Sequence, residues 1–335
     1  MSQIKVKEVV HIMKVLVYGA GIIGSYIAHV LCENGHQVDL LARGKRKQDL
    51  TKYGLVIYHQ LQKVETKDTP TIVDSLNRDT HYDVIFAVMQ HYQMKLILDD
   101  LASANTNIVV LIGNNMTSKS MNDYILERSV NDKKVLFGFS GTGGKYQDGK
   151  LICARFGSAR LVCGCVGHEV DASTMQTLNS IFMGKYNVVY SPDMNSWLMC
   201  HATAVLPLAY VCYANDCDLT KATMKEVSMV VEAMREGYDL LKSSGYSILP
   251  EGEYQSVSKP LKRLWVAVFY WLVFKIRNVG EMAVSNHCKS AHKELHGLET
   301  CLLELRKANP NVAMPNFDAL KRNCPSWESM YDVSK

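Results

Sequence analysis

The chain has 335 residues, of which 47% are hydrophobic and 21% are charged, with 37 Lys and Arg against 33 Asp and Glu. These values are ordinary for a globular protein and exclude a disordered or collagen-like chain. The length predicts two domains at roughly 100–200 residues each. A net charge of +4 is too small to indicate a nucleic-acid partner, and the basic segment 43–52 accounts for the whole excess.

The ten cysteines lie mostly within apolar runs such as LVCGCVG. A secreted disulfide framework is denser than this, so the pattern predicts reduced, buried thiols in a cytoplasmic protein. Cys163 and Cys165 are not followed by a second pair at zinc spacing, and no metal site is predicted. The opening MSQIKVKEVVHIM lacks the apolar segment of a secretory signal, so we interpret residues 1–12 as an extension before the first strand.

Short apolar runs alternate with helical stretches as far as about residue 190, which predicts an α/β fold. Because the runs are apolar throughout, the strands should be parallel and covered on both faces. The predicted strands are residues 14–18, 38–42, 83–88 and 108–112. A helix is predicted over 22–34, ending at Gly35. The runs 135–139, 151–156 and 159–164 have no long helices between them and predict an antiparallel extension of the same sheet.

The chain becomes strand-poor after about residue 190. The pattern therefore predicts a Rossmann-like domain with a mostly parallel sheet over 13–190, followed by an all-helical domain over 191–335. One long helical stretch is predicted from about Val279 to Lys307. The run Trp265–Phe274 would rise only about 15 Å as a helix, half of a bilayer core. We interpret it as a buried helix, with a helix lying on a membrane surface as the alternative.

A G-x-G-x-x-G motif lies between the first predicted strand and the first predicted helix. In such a motif the first glycine permits a tight turn, the second allows a pyrophosphate to approach the backbone, and the third lets helix and strand pack closely. The pyrophosphate would meet the free N–H groups at the positive end of the helix. The predicted dinucleotide-binding residues are Gly19, Ala20, Gly21, Ile22, Ile23 and Gly24. A glycine turn without a ligand is the alternative.

The end of the second predicted strand indicates which dinucleotide is bound. An NAD site would have Asp or Glu there to accept the ribose 2′-hydroxyl. This chain has Ala42 and Arg43, followed by three more bases, while Asp39 comes three residues too early. A guanidinium can bind a 2′-phosphate through two parallel hydrogen bonds, so the pattern predicts NADP(H) as cofactor, held by Arg43. A solvated basic loop is the alternative.

Together these features resemble the ketopantoate reductase family over most of residues 13–320. The resemblance rests on KVLVYGAGIIGS, then LLARG, then the all-helical second half. It implies a cofactor- and substrate-contacting asparagine at Asn114 in VVLIGNNM, and a segment near the nicotinamide at Gly144 or Lys145 in TGGKYQDGKL. It also implies a nucleotide-contacting glutamate at Glu294 in HKELHGLE.

The chain departs from this family at four polar positions. Gln90 stands where the family usually has a lysine after the fourth strand. Met199 stands at the family's proton-donating lysine, and Thr203 and Pro207 replace the two asparagines that hold its substrate. Methionine cannot give a proton to an alkoxide, so the catalytic residues are left unassigned and ketopantoate is not expected to be the substrate.

Four side chains are considered as replacement proton donors: His201, His91, His292 and Lys145. His201 is two helical positions from Met199, about 200° around the helix, and is interpreted as a structural histidine. His292 is likewise two positions from Glu294, so the two side chains lie on different sides of a helix. His91 comes next to Gln90 at a strand end, where ligands bind in parallel sheets. Lys145 lies on a glycine-rich turn.

Three functions remain open. The first is NADPH-dependent reduction of a small 2-oxo acid or similar carbonyl compound, held in the cleft between the two domains. The second is a catalytically silent NADP(H)-binding protein that senses redox state or regulates a partner. The third is a membrane-surface protein, which the all-round apolar helix disfavours. We expect neither a nucleic-acid nor a membrane partner, and a homodimer is left open.

Overall fold

The computed structural model describes residues 11–154, 159–276 and 280–333, so residues 1–10 of the predicted extension lie outside it. The strands, in chain order, are β1 (Lys14–Tyr18), β2 (Gln37–Leu41), β3 (Leu55–His59), β4 (Val64–Asp68), β5 (Thr71–Val73), β6 (Val84–Val88), β7 (Ile108–Ile112), β8 (Lys134–Ser140), β9 (Gly143–Gln147), β10 (Lys150–Ala154), β11 (Ala159–Gly164) and β12 (Tyr186–Tyr190).

Eight strands form the main sheet in the order β12-β11-β8-β7-β6-β1-β2-β5. Every neighbouring pair is parallel except β8 and β11. The mostly parallel Rossmann-like sheet predicted from the apolar runs is therefore confirmed.

Two of the three strands predicted as an antiparallel extension are placed differently. β8 pairs in parallel with β7, and β10 leaves the main sheet for a second sheet of order β4-β3-β10-β9. Only β11 is antiparallel in the main sheet, and residues 155–156 lie outside the described residues. Short apolar runs do not encode their pairing partners. The choice here follows from burial, because β3 and β10 face α1 with Leu55, Ile57 and Leu151 fully buried.

The helices, in chain order, are α1 (Ile22–Glu33), α2 (Gly44–Tyr53), α3 (His91–Met94), α4 (Leu98–Ser103), α5 (Ser118–Arg128), α6 (Ala172–Phe182), α7 (Met194–Ala214), α8 (Met224–Ser243), α9 (Glu253–Ser258), α10 (Pro260–Lys275), α11 (Asn286–Ser290), α12 (His292–Lys307), α13 (Pro315–Asn323) and α14 (Trp327–Val333). The last strand ends at Tyr190 and α7 begins at Met194, after which the described chain is helical. The domain limits 13–190 and 191–335 stay predictions.

The main sheet is buried on both faces, as its continuous apolar runs predict. In β1, Val15 and Val17 face the core that contains α1 and α6. Leu16 and Tyr18 face the opposite core, which contains α4 and α5. The helical half has a core of its own, built mainly from α7, α8, α12 and α13.

Six of the ten cysteines, including Cys163 and Cys165, are buried as predicted, and the other four are partly exposed. No disulfide joins any of the ten, all of which lie within the described residues. Burial raises the pKa of the Cys163 thiol to about 12 and that of Cys165 to about 11, so both stay protonated at neutral pH.

The helix α7 is long and apolar enough, at 21 residues and a mean hydropathy of 1.4, to cross a membrane. In the structure, however, 67% of its apolar window is buried inside the protein. Long apolar helices of this kind also form the centre of helical domains, and α7 packs against α8, α12 and α13.

The helix α10 contradicts the prediction that Trp265–Phe274 is buried. Only Ala267 and Phe274 are buried in α10. Large apolar side chains that are more than half exposed occupy its other face: Leu261, Leu264, Trp265, Phe269, Leu272 and, just past its end, Ile276. The neighbouring α8 and α9 pack against one side of this helix, so all-round apolar composition did not make it a core helix.

The single helical stretch predicted from Val279 to Lys307 is interrupted. Val279 lies outside the described residues, and a π-helical segment, Glu281–Ser285, precedes α11. Ala291 then leaves the helical conformation, at φ −116° and ψ 20°, between α11 and α12. This break directs α11 towards the sheet, where the residues described next meet.

Candidate functional site

The glycine motif connects β1 to α1, and its glycines have different structural roles. Gly19 has a φ of +123°, and a Cβ there would lie 2.2 Å from the carbonyl oxygen of Val88. A Cβ on Gly24 would lie 1.9 Å from the carbonyl oxygen of Gly19. At Gly21, by contrast, a Cβ would meet no atom within 4 Å. Gly19 and Gly24 are therefore required by the loop itself, whereas Gly21 faces open space.

This open space lies at the amino end of α1. The helix begins at Ile22, and no side chain caps its first turn. Its free N–H groups and the positive end of its dipole are thus available to an anion. The backbone of Gly21 has the clearance that a pyrophosphate needs, so these residues fit a dinucleotide.

Two aromatic and basic side chains lie beside the glycine motif. The Tyr146 hydroxyl, from β9, donates a hydrogen bond to the carbonyl oxygen of Ala20 at 2.8 Å and lies 2.9 Å from Ser25 Oγ. Arg46 of α2 stacks over the Tyr146 ring at 4.3 Å and donates to the same Ala20 carbonyl at 3.2 Å. The second sheet and α2 thereby hold the glycine loop in place.

The end of β2 carries the basic residues predicted to select the cofactor. Arg43 is the residue before α2, and it donates to the Tyr18 hydroxyl and to the carbonyl oxygen of Asp74, both at 3.1 Å. Lys47 pairs with the Asp74 carboxylate at 2.6 Å. The basic segment, for which a solvated loop was the alternative, forms the helix α2, and no side chain caps its amino end. Arg43 and this helix end together form a cationic surface beside the glycine motif.

Two carboxylates, Asp39 and Asp74, lie near this surface, where an NAD site would have an acceptor for the ribose 2′-hydroxyl. Asp39 accepts a hydrogen bond from the Tyr82 hydroxyl at 2.8 Å and lies 3.9 Å from Lys14, so it is engaged within the fold. Asp74 is 61% exposed, and hydrogen bonding to Lys47 lowers its carboxyl pKa. Asp74 was not predicted from the sequence, because it follows β5, a three-residue strand that the apolar pattern did not indicate.

Three predicted site residues from distant parts of the chain meet at the carboxyl edge of the sheet. Asn114, after β7, donates from Nδ2 to Glu294 Oε2 at 3.2 Å across 180 residues of sequence. Gln90, after β6, donates from Nε2 to the carbonyl oxygen of Ser290 at 3.4 Å. Within the described residues, the buried Asn114 Oδ1 has no hydrogen-bond partner. It therefore remains available to accept a hydrogen bond from a ligand.

A histidine that the sequence reading did not single out completes this junction. His287 of α11 has its Nε2 atom 3.3 Å from Glu294 Oε2. The Glu294 side chain is only 3% exposed, whereas that of His287 is 41% exposed. The two groups are within ion-pair distance, but among the described residues the buried Nε2 atom of His287 has no hydrogen-bond partner. The motif reading missed the pair because it forms only when α11 folds back over α12.

Gly144 and Lys145 lie on β9, the edge strand of the small sheet. A Cβ on Gly144 would lie 2.5 Å from the carbonyl oxygen of Ile152 and 3.3 Å from Ile22 Cγ2. Gly144 is therefore required for β9 to approach β10 and the start of α1. Lys145 is exposed on the same strand.

The α7 positions that depart from the family form one buried face of the helix. Met199 is 3% exposed and Thr203 is fully buried, and Pro207 lies one turn further along the same face. A Cβ on Gly237 of α8 would lie 2.1 Å from Thr203 Cγ2, so the two helices are in close contact here. Within the described residues, Thr203 Oγ1 has no hydrogen-bond partner. Apart from the Thr203 hydroxyl this face is apolar, and a hydroxyl is too weak an acid to take the role of a lysine.

His201 is a structural histidine, as predicted. Its ring stacks on Trp197, with centroids 5.1 Å apart and planes at 12°, and lies 4.0 Å from the Phe139 ring. Burial, together with the nearby His287, lowers its pKa to about 4. The His201 ring is therefore neutral at neutral pH and unsuited to act as an acid.

The other two histidines considered are also held by the fold. His91 is buried and hydrogen-bonded to Thr117 Oγ1 at 2.7 Å, and burial and the nearby Lys95 lower its pKa to about 4. His292 stacks on Tyr213 at 5.3 Å, and burial lowers its pKa as well. Both rings are therefore engaged within the fold, whereas the His287 side chain is 41% exposed.

Comparison with known proteins places this geometry in context. Residues 15–168 match the family model described as ketopantoate reductase PanE/ApbA. An uncharacterized oxidoreductase of Bacillus subtilis (strain 168), YkpB, is 35% identical over 89 residues. That alignment spans 27% of this chain and 28% of the relative's length.

Solved structures share the fold over nearly the whole chain. A D-mandelate dehydrogenase with NADH and anilino(oxo)acetate has a TM-score of 0.73 and 17% identity, covering 96% of this chain and 99% of that one. A 2-dehydropantoate 2-reductase from Methylococcus capsulatus has a TM-score of 0.67 and 15% identity, covering 96% and 97%. A PanE/ApbA family ketopantoate reductase from Ralstonia eutropha has a TM-score of 0.69 and 14% identity, covering 96% and 99%. At such identities these likenesses establish the fold.

Proposed function

Because residues 15–168 match the ketopantoate reductase family, we propose that the chain is an NADPH-dependent oxidoreductase of the cytoplasm that reduces a small 2-oxo acid or similar carbonyl compound. The observation that carries this proposal is the open space at Gly21 beside the uncapped amino end of α1. The D-mandelate dehydrogenase neighbour, solved with NADH and an oxo-acid, supports the same class of reaction.

The proposed cofactor residues fall into two groups along the carboxyl edge of the sheet. The glycine motif and α1 would hold the pyrophosphate, and Arg43 with the amino end of α2 would hold the 2′-phosphate. Asn114, Gln90 and Glu294 would lie towards the reacting end, where the sheet meets α11 and α12. The bound cofactor would supply the hydride.

We assign the proton donor to His287 in this proposal. Reduction of a ketone leaves negative charge on its oxygen, and a positioned acid is needed to protonate it. The Glu294 carboxylate, 3.3 Å from Nε2, would attract the protonated ring of His287, and Nδ1 would donate its proton to the substrate oxygen. Water would then return the proton to the imidazole. In this proposal His287 takes the role of the proton-donating lysine of the resembled family, whose position in α7 is occupied here by Met199.

Ketopantoate is expected to be a poor substrate of this protein. The α7 face that would hold it has the apolar side chains of Met199 and Pro207, so only the Thr203 hydroxyl would be there to bind its carboxylate or hydroxyl. The test is NADPH oxidation against a panel of 2-oxo acids that includes ketopantoate. We expect kcat/KM for ketopantoate to lie well below about 10⁴ M⁻¹s⁻¹, and another member of the panel to be reduced faster.

One variant tests whether the missing lysine alone accounts for poor ketopantoate reduction. Met199→Lys alone should not restore ketopantoate reduction, because one cation on a buried apolar face does not orient the substrate. Efficient ketopantoate turnover by the unmodified protein would contradict this assignment of the α7 face. It would mean that substrate binds against other residues.

Arg43 is expected to determine the preference for NADPH over NADH. A charge-assisted pair contributes roughly 1.5–3 kcal/mol, so Arg43→Ala should weaken NADPH binding about 10- to 100-fold and leave NADH binding nearly unchanged. Calorimetric titration at moderate salt measures both affinities. Arg128→Ala serves as the control, since Arg128 is an exposed arginine at the end of α5. Equal affinities of the unmodified protein for the two cofactors would exclude the NADP(H) assignment.

The second candidate function is a catalytically silent NADP(H)-binding protein. The apolar face at Met199 favours it, because the family's donor is absent and no other α7 side chain on that face replaces it. Cofactor affinity does not separate the two functions, whereas hydride transfer does. Tight NADPH binding without oxidation by any member of the carbonyl panel would favour the silent protein.

A further inference from the structure

The exposed face of α10 is the largest apolar feature that the proposed chemistry leaves unexplained. Its side chains are exposed by 53–77%: Leu261, Leu264, Trp265, Phe269, Leu272 and Ile276. Isolated exposed apolar residues are common, but a contiguous stripe of this kind marks an interaction surface. Ala267 and Phe274, which are both 2% exposed, anchor the opposite side of the helix to its own chain.

We propose that this stripe, the α10 face, is the contact between two copies of this chain in a two-fold symmetric dimer. Trp265, Phe269, Leu272 and Ile276 follow one another at spacings of four, three and four residues. This is the spacing of a helix-pairing seam, in which apolar side chains form a narrow row along a partner helix. A two-fold axis perpendicular to α10 would set the two α10 helices antiparallel, each face covering the other.

The size of the α10 face suits such a dimer. Trp265 and Phe269 alone present on the order of 250 Å², given the large surface of an aromatic side chain. With the four aliphatic side chains the face reaches several hundred Å², compared with about 800 Å² contributed by each partner to a standard interface. Half-buried neighbours in α10, such as Val266 and Val273, would supply much of the remainder.

Charge also favours a second copy of the chain over a lipid surface. A helix that lies on a membrane carries lysines and arginines along its polar side, but α10 has none from Leu264 to Phe274. Two of the cations at its ends turn back to their own chain. Arg263 pairs with Glu232 at 2.8 Å, and Lys275 donates to backbone carbonyl oxygens before α8.

Lys262 fits the antiparallel arrangement. It lies three residues before Trp265 on the line of the seam and is exposed. In an antiparallel pair, each Lys262 would approach the carboxyl end of the partner's α10, where the helix dipole is negative.

The test is the mass of the full-length protein in solution, measured by light scattering after gel filtration and by sedimentation between 1 and 100 µM (about a hundredfold range around typical affinities). We expect the unmodified protein at twice its chain mass of 37.6 kDa. The double variant Trp265→Lys, Phe269→Lys should dissociate about 100-fold more readily or more, because aromatic residues at the centre of an interface dominate its affinity. Its unfolding temperature and NADPH affinity should match those of the unmodified protein.

A matched control uses exposed apolar residues elsewhere. Leu96 is 81% and Val130 is 75% exposed, so Leu96→Lys, Val130→Lys introduces the same two charges away from α10 and should leave the dimer intact. A monomeric unmodified protein, or a dimer that survives the α10 double variant, would overturn the proposal. A monomer that binds vesicles of anionic lipid through Trp265 would overturn it in favour of a membrane surface.

Discussion

The variant Gly21→Val should lose NADPH binding while keeping its fold. In the structure a Cβ on Gly21 meets no protein atom within 4 Å, so the valine side chain would project into the space assigned to the pyrophosphate. Gly21 also has an ordinary φ of −70°, so the substitution introduces no backbone strain. We expect the affinity for NADPH to fall at least about 100-fold, which corresponds to roughly 3 kcal/mol, as measured by calorimetry or by cofactor fluorescence.

The neighbouring glycine provides the contrast. Gly19→Val would force a Cβ to within 2.2 Å of the Val88 carbonyl oxygen at a φ of +123°, so this variant should unfold at lower temperature or fail to fold. Gly21→Val should retain the unfolding temperature of the unmodified protein. If Gly21→Val still bound NADPH with full affinity, the dinucleotide would have to lie elsewhere.

The variant His287→Gln should lose hydride transfer to the carbonyl substrate without losing the cofactor. A positioned acid contributes about 10²- to 10⁴-fold to the rate, so single-turnover NADPH oxidation should slow by that factor. NADPH affinity should be unchanged, because Asn114 and Glu294 keep their hydrogen bond across the junction. The measurement uses whichever 2-oxo acid from the panel is reduced fastest.

The pH dependence gives an independent readout of His287. In the direction of reduction the proton donor must start protonated, so the rate of the unmodified enzyme should fall as pH rises. His287→Gln should abolish that dependence. His292→Gln is the matched control, since His292 stacks on Tyr213 and should leave both the rate and its pH profile unchanged. An unaltered rate in His287→Gln would mean that another group donates the proton.

Glu294 would have two roles, positioning His287 and contacting the cofactor. The variant Glu294→Gln separates them. Glu294→Gln keeps the volume and can still accept a hydrogen bond from Asn114, but it removes the charge 3.3 Å from His287. A loss in rate with little change in NADPH affinity would indicate that Glu294 positions the histidine. A loss of NADPH affinity would indicate the nucleotide contact that the family resemblance implies.

The first βαβ unit could be predicted from the sequence because the residues that specify it are close together in the chain. β1 is found at residues 14–18 as predicted, and α1 ends at Glu33, followed by Gly35 at a φ of +80°. Turn chemistry, a strand that is apolar throughout and a glycine motif all operate within about twenty residues. The small β3–β4 hairpin and β5 were not predicted, because β4 is polar and exposed and β5 has only three residues.

The exposure of α10 could not be read from its composition. Leu261, Trp265 and Phe269 are as apolar as the residues of a core helix, yet they face outward. Whether a helix that is apolar on all sides is covered depends on how many neighbours pack around it. Here α8 and α9 lie against one side of α10, and the periodicity of the sequence does not indicate how many helices will pack against it.

The sequence by itself determined the class of the fold and the place of the glycine motif. Each of these depends on residue identity and local spacing, which the chain carries directly. Only the tertiary structure decided that Asn114, Glu294 and His287 form one cluster, since Asn114 and Glu294 are 180 residues apart and meet because α11 and α12 fold back onto the edge of the sheet. Contacts between distant segments follow from packing, and packing is settled by the whole core at once.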